Sequence, residues 1–211
     1  MEYLNKTRFL LFMVFLFTAI VNSMFSQDPK TLELLSTINF TLILASGLWA
    51  FSQNQNFLRF TSIFFVIAII LEWLQYLIDG PALNNIQPLT TSLVLVLLLV
   101  MTLKSISTAK EVDQNVIFGV VSGYVLIGFI GGLIALAIAW TIPEAFNVDG
   151  IISGATAFYY SFVTMTTLGY GDILPTIEET RALSIILSIV GPMYVAIIVA
   201  LMVGKFAARK N

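Results

Sequence analysis

The sequence predicts an all-α membrane protein, and three observations support this fold class. Charged residues make up only 10% of the 211 residues, against roughly 25% in soluble domains. Hydrophobic residues make up 58%, and the mean hydropathy is +0.95. Several apolar stretches approach or reach the length of about 20 residues that a helix needs to cross a bilayer. A chain of this kind has too few polar side chains to cover a water-soluble core.

Six apolar stretches predict transmembrane helices. They cover residues 9–25, 32–51, 57–78, 89–103, 116–140 and 182–206. The fourth is short, and we expect it to include Pro88 and Lys104 at its ends. The first stretch, with Lys6 and Arg8 before it, also fits a cleaved signal peptide over residues 1–25. We favour a retained helix, because the run is long and lacks a clean small-residue cleavage site.

A seventh apolar stretch, residues 151–165, is too short to span a bilayer. It ends in the polar segment 164–175, which reads TMTTLGYGDILP. Irregular backbone is tolerated at membrane depth only where protein or a water-filled cavity shields it. The sequence therefore predicts a re-entrant helix followed by a polar loop, and the alternative is a polar turn between two helices.

The distribution of lysine and arginine predicts the orientation, because cytoplasmic loops carry an excess of both. With both termini inside, only Lys30 and Arg181 lie outside. Eight basic residues then lie inside, namely Lys6, Arg8, Arg59, Lys104, Lys110, Lys205, Arg209 and Lys210. We therefore expect a multi-pass protein of the plasma (cytoplasmic) membrane whose re-entrant loop opens to the outside.

Gly169 and Gly171 occupy alternate positions of the polar loop, and this spacing bears on the backbone. To point several consecutive carbonyls one way, a chain must alternate right- and left-handed dihedrals, and glycine adopts the left-handed state without steric cost. The four carbonyls of residues 167–170 would then lie along one line, with the Thr167 hydroxyl beneath. Four chains around an axis would stack these oxygens into five rings, and the four cages between them would each suit a dehydrated monovalent cation.

This loop resembles the signature of the tetrameric potassium channel family, whose usual form is Thr-Val-Gly-Tyr-Gly. Here it reads TTLGYGD over residues 166–172, and the resemblance covers about residues 116–208. It implies a homotetramer of six-helix subunits that binds K⁺ ions and needs no other cofactor. The filter residues that it implies are Thr167, Leu168, Gly169, Tyr170 and Gly171, with K⁺ at the first four. Leu168 replaces the usual valine, and we expect selectivity to survive because that side chain faces away from the ions.

Further positions around the filter carry over from the family. Tyr159 and Tyr160 occupy an aromatic pair, usually tryptophan, that braces the filter. Asp172 is expected to bond to one member of this pair, and Thr166 precedes the filter as a supporting residue. Val163 stands where some members carry a buried glutamate, so this chain lacks the carboxyl–carboxylate pair and any gating that depends on it.

Gly191 and Pro192 lie where the family's inner helix carries a gating-hinge glycine. Pro192 cannot donate a backbone hydrogen bond, so a kink is expected. We favour a gate hinge, and the alternative is a static kink that shapes the cavity. Three apolar residues beyond it recur at every fourth position and would line the inner pore, namely Val195, Val199 and Val203, although such a stripe also suits ordinary packing.

Two domains are predicted. Residues 1–110 form a four-helix membrane domain in the position of a voltage sensor, and residues 111–211 form the pore domain. Steep voltage dependence normally needs an arginine-rich fourth helix. The fourth stretch carries only Lys104, at its inner end, so we predict no conventional voltage sensing. Glu72 lies well inside a predicted span. Its carboxyl either pairs across helices with a hydroxyl or with Trp73, or it extends to the nearby membrane interface.

Two further sets of residues lead to predictions. Acidic residues on the predicted outer loops would concentrate cations at the mouth or simply keep the loops soluble: Glu144, Asp149, Glu178 and Glu179. Glycines of the fifth stretch predict close helix packing: Gly119, Gly123, Gly128 and Gly132.

The function favoured by the sequence is a potassium-selective channel that passes K⁺ passively. One alternative is a filter-containing potassium uptake subunit, although such proteins usually repeat the helix–filter–helix unit within one chain. Another is a membrane modulatory protein whose pore does not conduct alone. No motif pairs a nucleophile with a base, and histidine and cysteine are absent, so no enzyme is predicted. The net charge of −2 does not indicate nucleic-acid binding.

Overall fold

Seven α-helices make up most of the part of the chain that the structure describes. The computed structural model describes residues 8–22, 28–51, 55–78, 81–109, 111–150 and 152–208. The helices are α1 (Arg8–Val21), α2 (Pro29–Ala50), α3 (Gln55–Leu77), α4 (Pro81–Thr108), α5 (Gln114–Thr141), α6 (Gly154–Met165) and α7 (Glu178–Ala208). A 3₁₀ turn, Pro143–Ala145, follows α5. Within the described ranges the β-pairing is limited to one isolated bridge between Phe146 and Pro175.

The all-helical class is confirmed, and each predicted span overlaps one helix. Among the described residues, four helices are long and apolar enough to cross a membrane, over Lys30–Ala50, Thr90–Thr108, Gln114–Thr141 and Glu178–Ala207. The stretches Arg8–Val21 and Thr61–Leu77 are shorter apolar helices, so six spans stay a prediction. The orientation also stays a prediction, since Lys6, Lys110, Arg209 and Lys210 lie outside the described residues. The signal-peptide alternative falls partly on residues 1–7 and 23–25, which lie outside them as well.

Side-chain caps set two helix starts that the hydropathy pattern predicted incorrectly. Helix α5 begins at Gln114 rather than at 116, because Asp113 Oδ1 accepts from the Val116 amide at 2.9 Å. Helix α6 begins at Gly154 rather than at 151, because Ser153 Oγ caps it by accepting from the Thr156 amide at 3.1 Å. These effects act on the ends of a helix and leave no trace in its apolar run.

The described residues up to Val125 form one compact unit. Within it α1 packs on α2, α2 on α3 and α3 on α4. Fully buried apolar side chains form its core: Phe12, Leu16, Leu44, Phe65 and Leu98. At Gly47 of α2 an added Cβ would lie 2.8 Å from Cδ2 of Leu98 in α4, so α2 and α4 approach closely.

Polar contacts also join the helices of this first unit. Asn39 Nδ2 donates to Thr18 Oγ1 at 2.6 Å, which links α2 to α1. Trp73 Nε1 donates to Thr41 Oγ1 at 3.1 Å, which links α3 to α2 and engages the single N–H of this indole. The pairing of Glu72 stays a prediction.

The described residues from Leu126 onward form the second compact unit, which contains the polar loop. Here α6 packs on α5 through aromatic rings, with Phe129 edge-on to Phe158 at 5.2 Å and to Phe162 at 5.6 Å. An added Cβ at Gly128 or Gly132 would lie 2.3 Å from Phe162 or 2.2 Å from Phe158. The predicted packing role of these two glycines is therefore confirmed.

Candidate functional site

Helix α6 ends where the polar loop begins. The Thr166 amide donates to the Phe162 carbonyl at 3.0 Å, and the Thr166 hydroxyl donates to the same carbonyl at 2.7 Å. Thr166 thus closes the last turn and supports the start of the loop. The aligned peptide dipoles place partial negative charge at this end of α6, which favours a nearby cation.

The backbone of the loop alternates between the two hands. Thr167, Gly169 and Gly171 have φ values of 60°, 54° and 78°, whereas Leu168 and Tyr170 between them have negative φ. Sequence reasoning anticipated the left-handed state at the two glycines and missed it at Thr167. A β-branched residue rarely adopts this conformation, which costs on the order of 1–3 kcal/mol. The residue type therefore carried no signal for it.

Hydrogen bonds from the loop amides explain how Thr167 is held in this conformation. The Thr167 amide donates to the Thr164 carbonyl at 3.0 Å, and the Leu168 and Gly169 amides donate to the Val163 carbonyl at 3.0 and 3.2 Å. In a planar trans peptide the N–H and the preceding C=O point in opposite directions. Because three successive amides point back to the end of α6, the carbonyls of residues 166–168 point away from it.

Val163 contributes through its backbone as well as its position. The sequence drew attention only to its side chain, which stands where the family sometimes has a glutamate. In the structure its carbonyl accepts two loop amides. Any residue type could supply a carbonyl, so no pattern in the sequence could have shown this role.

Tyr159 and Asp172 form a direct contact across the loop. The Tyr159 hydroxyl donates to Asp172 Oδ2 at 2.7 Å. The same hydrogen bond is the main cause of two pKa shifts, because it stabilises the Asp172 carboxylate and the protonated Tyr159. It lowers the pKa of Asp172 below its usual 3.8 and raises the pKa of Tyr159 to about 12.

Tyr160 does not share this role. Its hydroxyl is hydrogen-bonded to the Ser184 hydroxyl of α7, and its ring lies edge-on to Phe146 at 4.8 Å. The aromatic pair is therefore divided, with Tyr159 contacting the loop and Tyr160 joining α6 to α7. Adjacent residues on a helix point about 100° apart, which separates their partners.

Gly191 of α7 lies directly against the end of α6. An added Cβ would lie 2.0 Å from the Met165 carbonyl oxygen and 2.7 Å from Met165 Cγ. Neither a hinge nor a static kink requires such a contact, so the structure adds a third role, close approach of α7 to the helix that leads into the loop. Pro192 is exposed beside it.

The apolar residues beyond Pro192 are exposed in the single chain. Val195, Val199 and Val203 are 49%, 53% and 62% exposed. A buried face of α7 runs through Leu187, Gly191, Tyr194 and Ile198. The three valines lie outside this face, and their role in lining a pore stays a prediction.

The acidic residues predicted on the outer loops are not equivalent. Glu178 forms an ion pair with Arg181 at 2.8 Å, one turn further along α7. Glu178 and Glu179 also lie in the first turn of α7, where the helix dipole favours negative charge. Glu178 therefore has a local charge partner, which weakens its predicted contribution to attracting cations.

The second unit is similar to known ion channels. Residues 120–208 match the family model described as "Ion channel". The Drosophila melanogaster "Potassium voltage-gated channel protein Shal" is 31% identical over 87 residues, which is 38% of this chain and 15% of that protein. The Escherichia coli (strain K12) "Voltage-gated potassium channel Kch" is 48% identical over 50 residues, which is 24% of this chain and 12% of that protein.

A plant protein is similar over a shorter stretch. The Arabidopsis thaliana "Two-pore potassium channel 4" is 47% identical over 38 residues, which is 18% of this chain and 13% of that protein. The chain thus spans only 12% to 15% of the length of these three relatives. No solved structure matches the chain. The similarity to an ion-channel domain covers residues 120–208, which are most of the second unit and the six residues of α5 before it.

We predict that the Tyr159–Asp172 bond is insensitive to pH between about 5 and about 9. Both groups lie outside the membrane-spanning helices. The lowered pKa of Asp172 means that its stabilisation is present above its usual value of 3.8 and is lost as the pH falls through the lowered pKa. The raised pKa of Tyr159 means that its stabilisation is present below 10.0 and is lost as the pH rises through about 12.

The measurement compares the melting temperatures of the wild type and Tyr159→Phe at several pH values. The difference between them should be the same at about pH 5, 7 and 9. A difference that changes within this range would mean that another titrating group controls the contact.

Proposed function

We propose that this chain is the subunit of a potassium-selective channel, which passes K⁺ passively through residues 167–171. The observation that carries the proposal is the alternation of left-handed φ at Thr167, Gly169 and Gly171. Together with the amides bound back to α6, it supports a row of carbonyls on one side of the loop. The names of all three relatives describe channels for potassium, which supports the same choice of ion.

In this proposal the backbone replaces the hydration shell of the ion. Carbonyl oxygens of Thr167, Leu168, Gly169 and Tyr170, with the Thr167 hydroxyl, form rings when four copies surround an axis. The side chains of Leu168 and Tyr170 are 56% and 65% exposed in the single chain. Neighbouring subunits would cover them, which supports a homotetramer.

The inner part of the channel would be formed by α7. Val195, Val199 and Val203 would line the pore, and Gly191 with Pro192 would let α7 bend. An apolar lining of this kind can close a pore by dewetting. The subunit would cross the plasma membrane with both termini in the cytoplasm and the filter mouth outside.

We also propose that the channel lacks conventional voltage gating. Helix α4 has a single basic residue, Lys104, which is exposed near the end of the helix. One charge moving through the membrane field gives about 2.3 kcal/mol per 100 mV, far less than an arginine array supplies. Two relatives are named voltage-gated, but the chain covers only 15% and 12% of them.

Recordings from purified protein in planar bilayers test these proposals together. Under opposed gradients of K⁺ and Na⁺, the current should reverse close to the K⁺ equilibrium potential, and open probability should change little across a voltage range. A reversal potential midway between the equilibrium potentials of K⁺ and Na⁺ would contradict potassium selectivity. Steep activation, equivalent to several charges per tetramer, would contradict the proposal for α4. Absence of current would leave the modulatory alternative.

A further inference from the structure

Asn147 lies in the loop between the 3₁₀ turn and α6, and its side chain contacts the segment that follows the filter. Asn147 Nδ2 donates to the Asp172 carbonyl at 3.4 Å. The Leu174 amide donates to Asn147 Oδ1, and the Asn147 amide donates to the Leu174 carbonyl at 3.1 Å. One residue thus makes three hydrogen bonds to a segment 25 to 27 positions away in the chain.

These bonds belong to a short antiparallel pairing of the two segments. Phe146 forms a bridge with Pro175, and the Thr176 amide donates to the Ala145 carbonyl at 3.1 Å. The fully buried Thr180 donates its hydroxyl to the same carbonyl at 2.9 Å, which fastens the pairing to α7. Asn147 is the member of this pairing that lies nearest to the filter and that acts through its side chain.

Asp172 is consequently held from two sides. Tyr159 of α6 binds its carboxylate at 2.7 Å, and Asn147 binds its carbonyl. Gly171 immediately before it has a φ of 78° and no side chain of its own to anchor it. The position of the outermost filter residue therefore depends on how firmly Asp172 is held.

We propose that Asn147 is a positioning residue for the outer end of the filter, an inference that rests on the proposed channel function. It holds the Asp172–Leu174 segment against the loop before α6, while Tyr159 holds the same segment against α6. Without Asn147, Gly171 leaves the geometry that binds K⁺ more readily, and current declines during sustained conduction. A K⁺ ion bound in the filter favours the ordered state by mass action, so raised external K⁺ slows the decline.

The experiment measures the decline of current in Asn147→Ala at two external K⁺ concentrations. Loss of two side-chain hydrogen bonds of ordinary strength corresponds to about a tenfold faster decline. The acceleration should shrink when external K⁺ is raised, whereas the initial reversal potential stays at the wild-type value. Val148→Ala is the matched control, since Val148 is the next residue of the same loop, is uncharged and is only partly buried, and it should decline at the wild-type rate.

A conservative variant and a double variant separate positioning from general loss of stability. Asn147→Asp keeps an acceptor for the Leu174 amide and loses the donor to Asp172, so its rate should fall between the wild type and alanine. The Asn147→Asp variant also tests the proposal if the Asn147→Ala protein does not assemble. In the double variant with Tyr159→Phe the two effects on the logarithm of the rate should not add, because both residues hold Asp172.

The outcomes distinguish this inference from the proposed function. A wild-type chain that passes no potassium current overturns the proposed function and this inference with it. A wild-type chain that conducts, beside Asn147 variants that decline like Val148→Ala, overturns only the inference. A faster decline that ignores external K⁺, or that adds simply to the effect of Tyr159→Phe, also overturns it.

Discussion

Replacing Gly191 by alanine should destabilise the second unit strongly, whereas the same replacement at Gly204 should not. At position 191 the new Cβ would lie 2.0 Å from the carbonyl oxygen of Met165. Met165 is fully buried and the contact is with its backbone, so the overlap cannot be relieved by a side-chain rotation. We expect a cost of about 3 kcal/mol or more, at the upper end of the range for overpacking.

Gly204 provides the control within the same helix. No atom lies within 4 Å of a Cβ built at position 204. Alanine is favoured over glycine inside a helix by about 1 kcal/mol, so Gly204→Ala should be neutral or slightly stabilising. The measurement is the melting temperature of the purified protein in detergent, together with the yield of assembled protein. Equal melting temperatures for the two variants would contradict the close approach of α7 to α6.

The effect of Gly191→Ala should also reach the proposed filter. Met165 directly precedes Thr166, and the carbonyls of Val163 and Thr164 in the same turn hold the loop amides. A shift of this turn would release the bonds that keep Thr167 left-handed. An alanine at 191 therefore cannot separate a gate hinge from a static kink. A variant at Pro192, which is exposed, is the better test of bending.

Replacing Gly169 by alanine should abolish the proposed potassium selectivity, whereas replacing Gly150 should leave it unchanged. Gly169 has a φ of 54°, and nothing lies within 4 Å of an added Cβ, so the penalty comes from the backbone alone. An L residue in this conformation costs about 1–2 kcal/mol. Thr167 already carries such strain two residues earlier, and a tetramer would repeat the new penalty in every subunit. The backbone at residue 169 should therefore rotate out of the left-handed conformation, so that its carbonyl no longer faces the proposed ion path.

Gly150 is a matched control because it has the same left-handed backbone and open surroundings but lies outside the proposed filter. Its φ is 81°, and it too has open space around an added Cβ. Gly150→Ala should lower the stability by a similar amount per chain and leave the reversal potential unchanged. The measurement is the reversal potential of each variant under opposed K⁺ and Na⁺ gradients. Retained selectivity in Gly169→Ala would mean that the left-handed glycine is not needed for ion binding.

Local properties of the residues explain what could be predicted. Apolar length placed the helices, since burial of a helix in a bilayer depends on its own composition. The spacing of Gly169 and Gly171 predicted the left-handed positions, because a missing Cβ is a property of the residue itself. Helix ends were placed less well, because Asp113 and Ser153 act through single hydrogen bonds that hydropathy does not register.

Contacts between distant segments explain what could not be predicted. Tyr159 and Tyr160 are neighbours of one residue type, yet they bond to Asp172 and Ser184. In the sequence Asn147 is an ordinary polar loop residue, and only the structure brings residues 172–174 beside it. Val163 contributes a carbonyl that every residue possesses, so its identity carries no information about this role.

The sequence by itself determined the all-helical class, the helical stretches and the location of the polar loop with its two glycines, because hydropathy and backbone freedom belong to individual residues. Only the tertiary structure decided that Thr167 is left-handed, that Gly191 is pressed against Met165, and which partner each tyrosine takes. These features arise where segments far apart in the chain are brought within a few ångströms. Their energies depend on distance and direction, which a sequence does not contain.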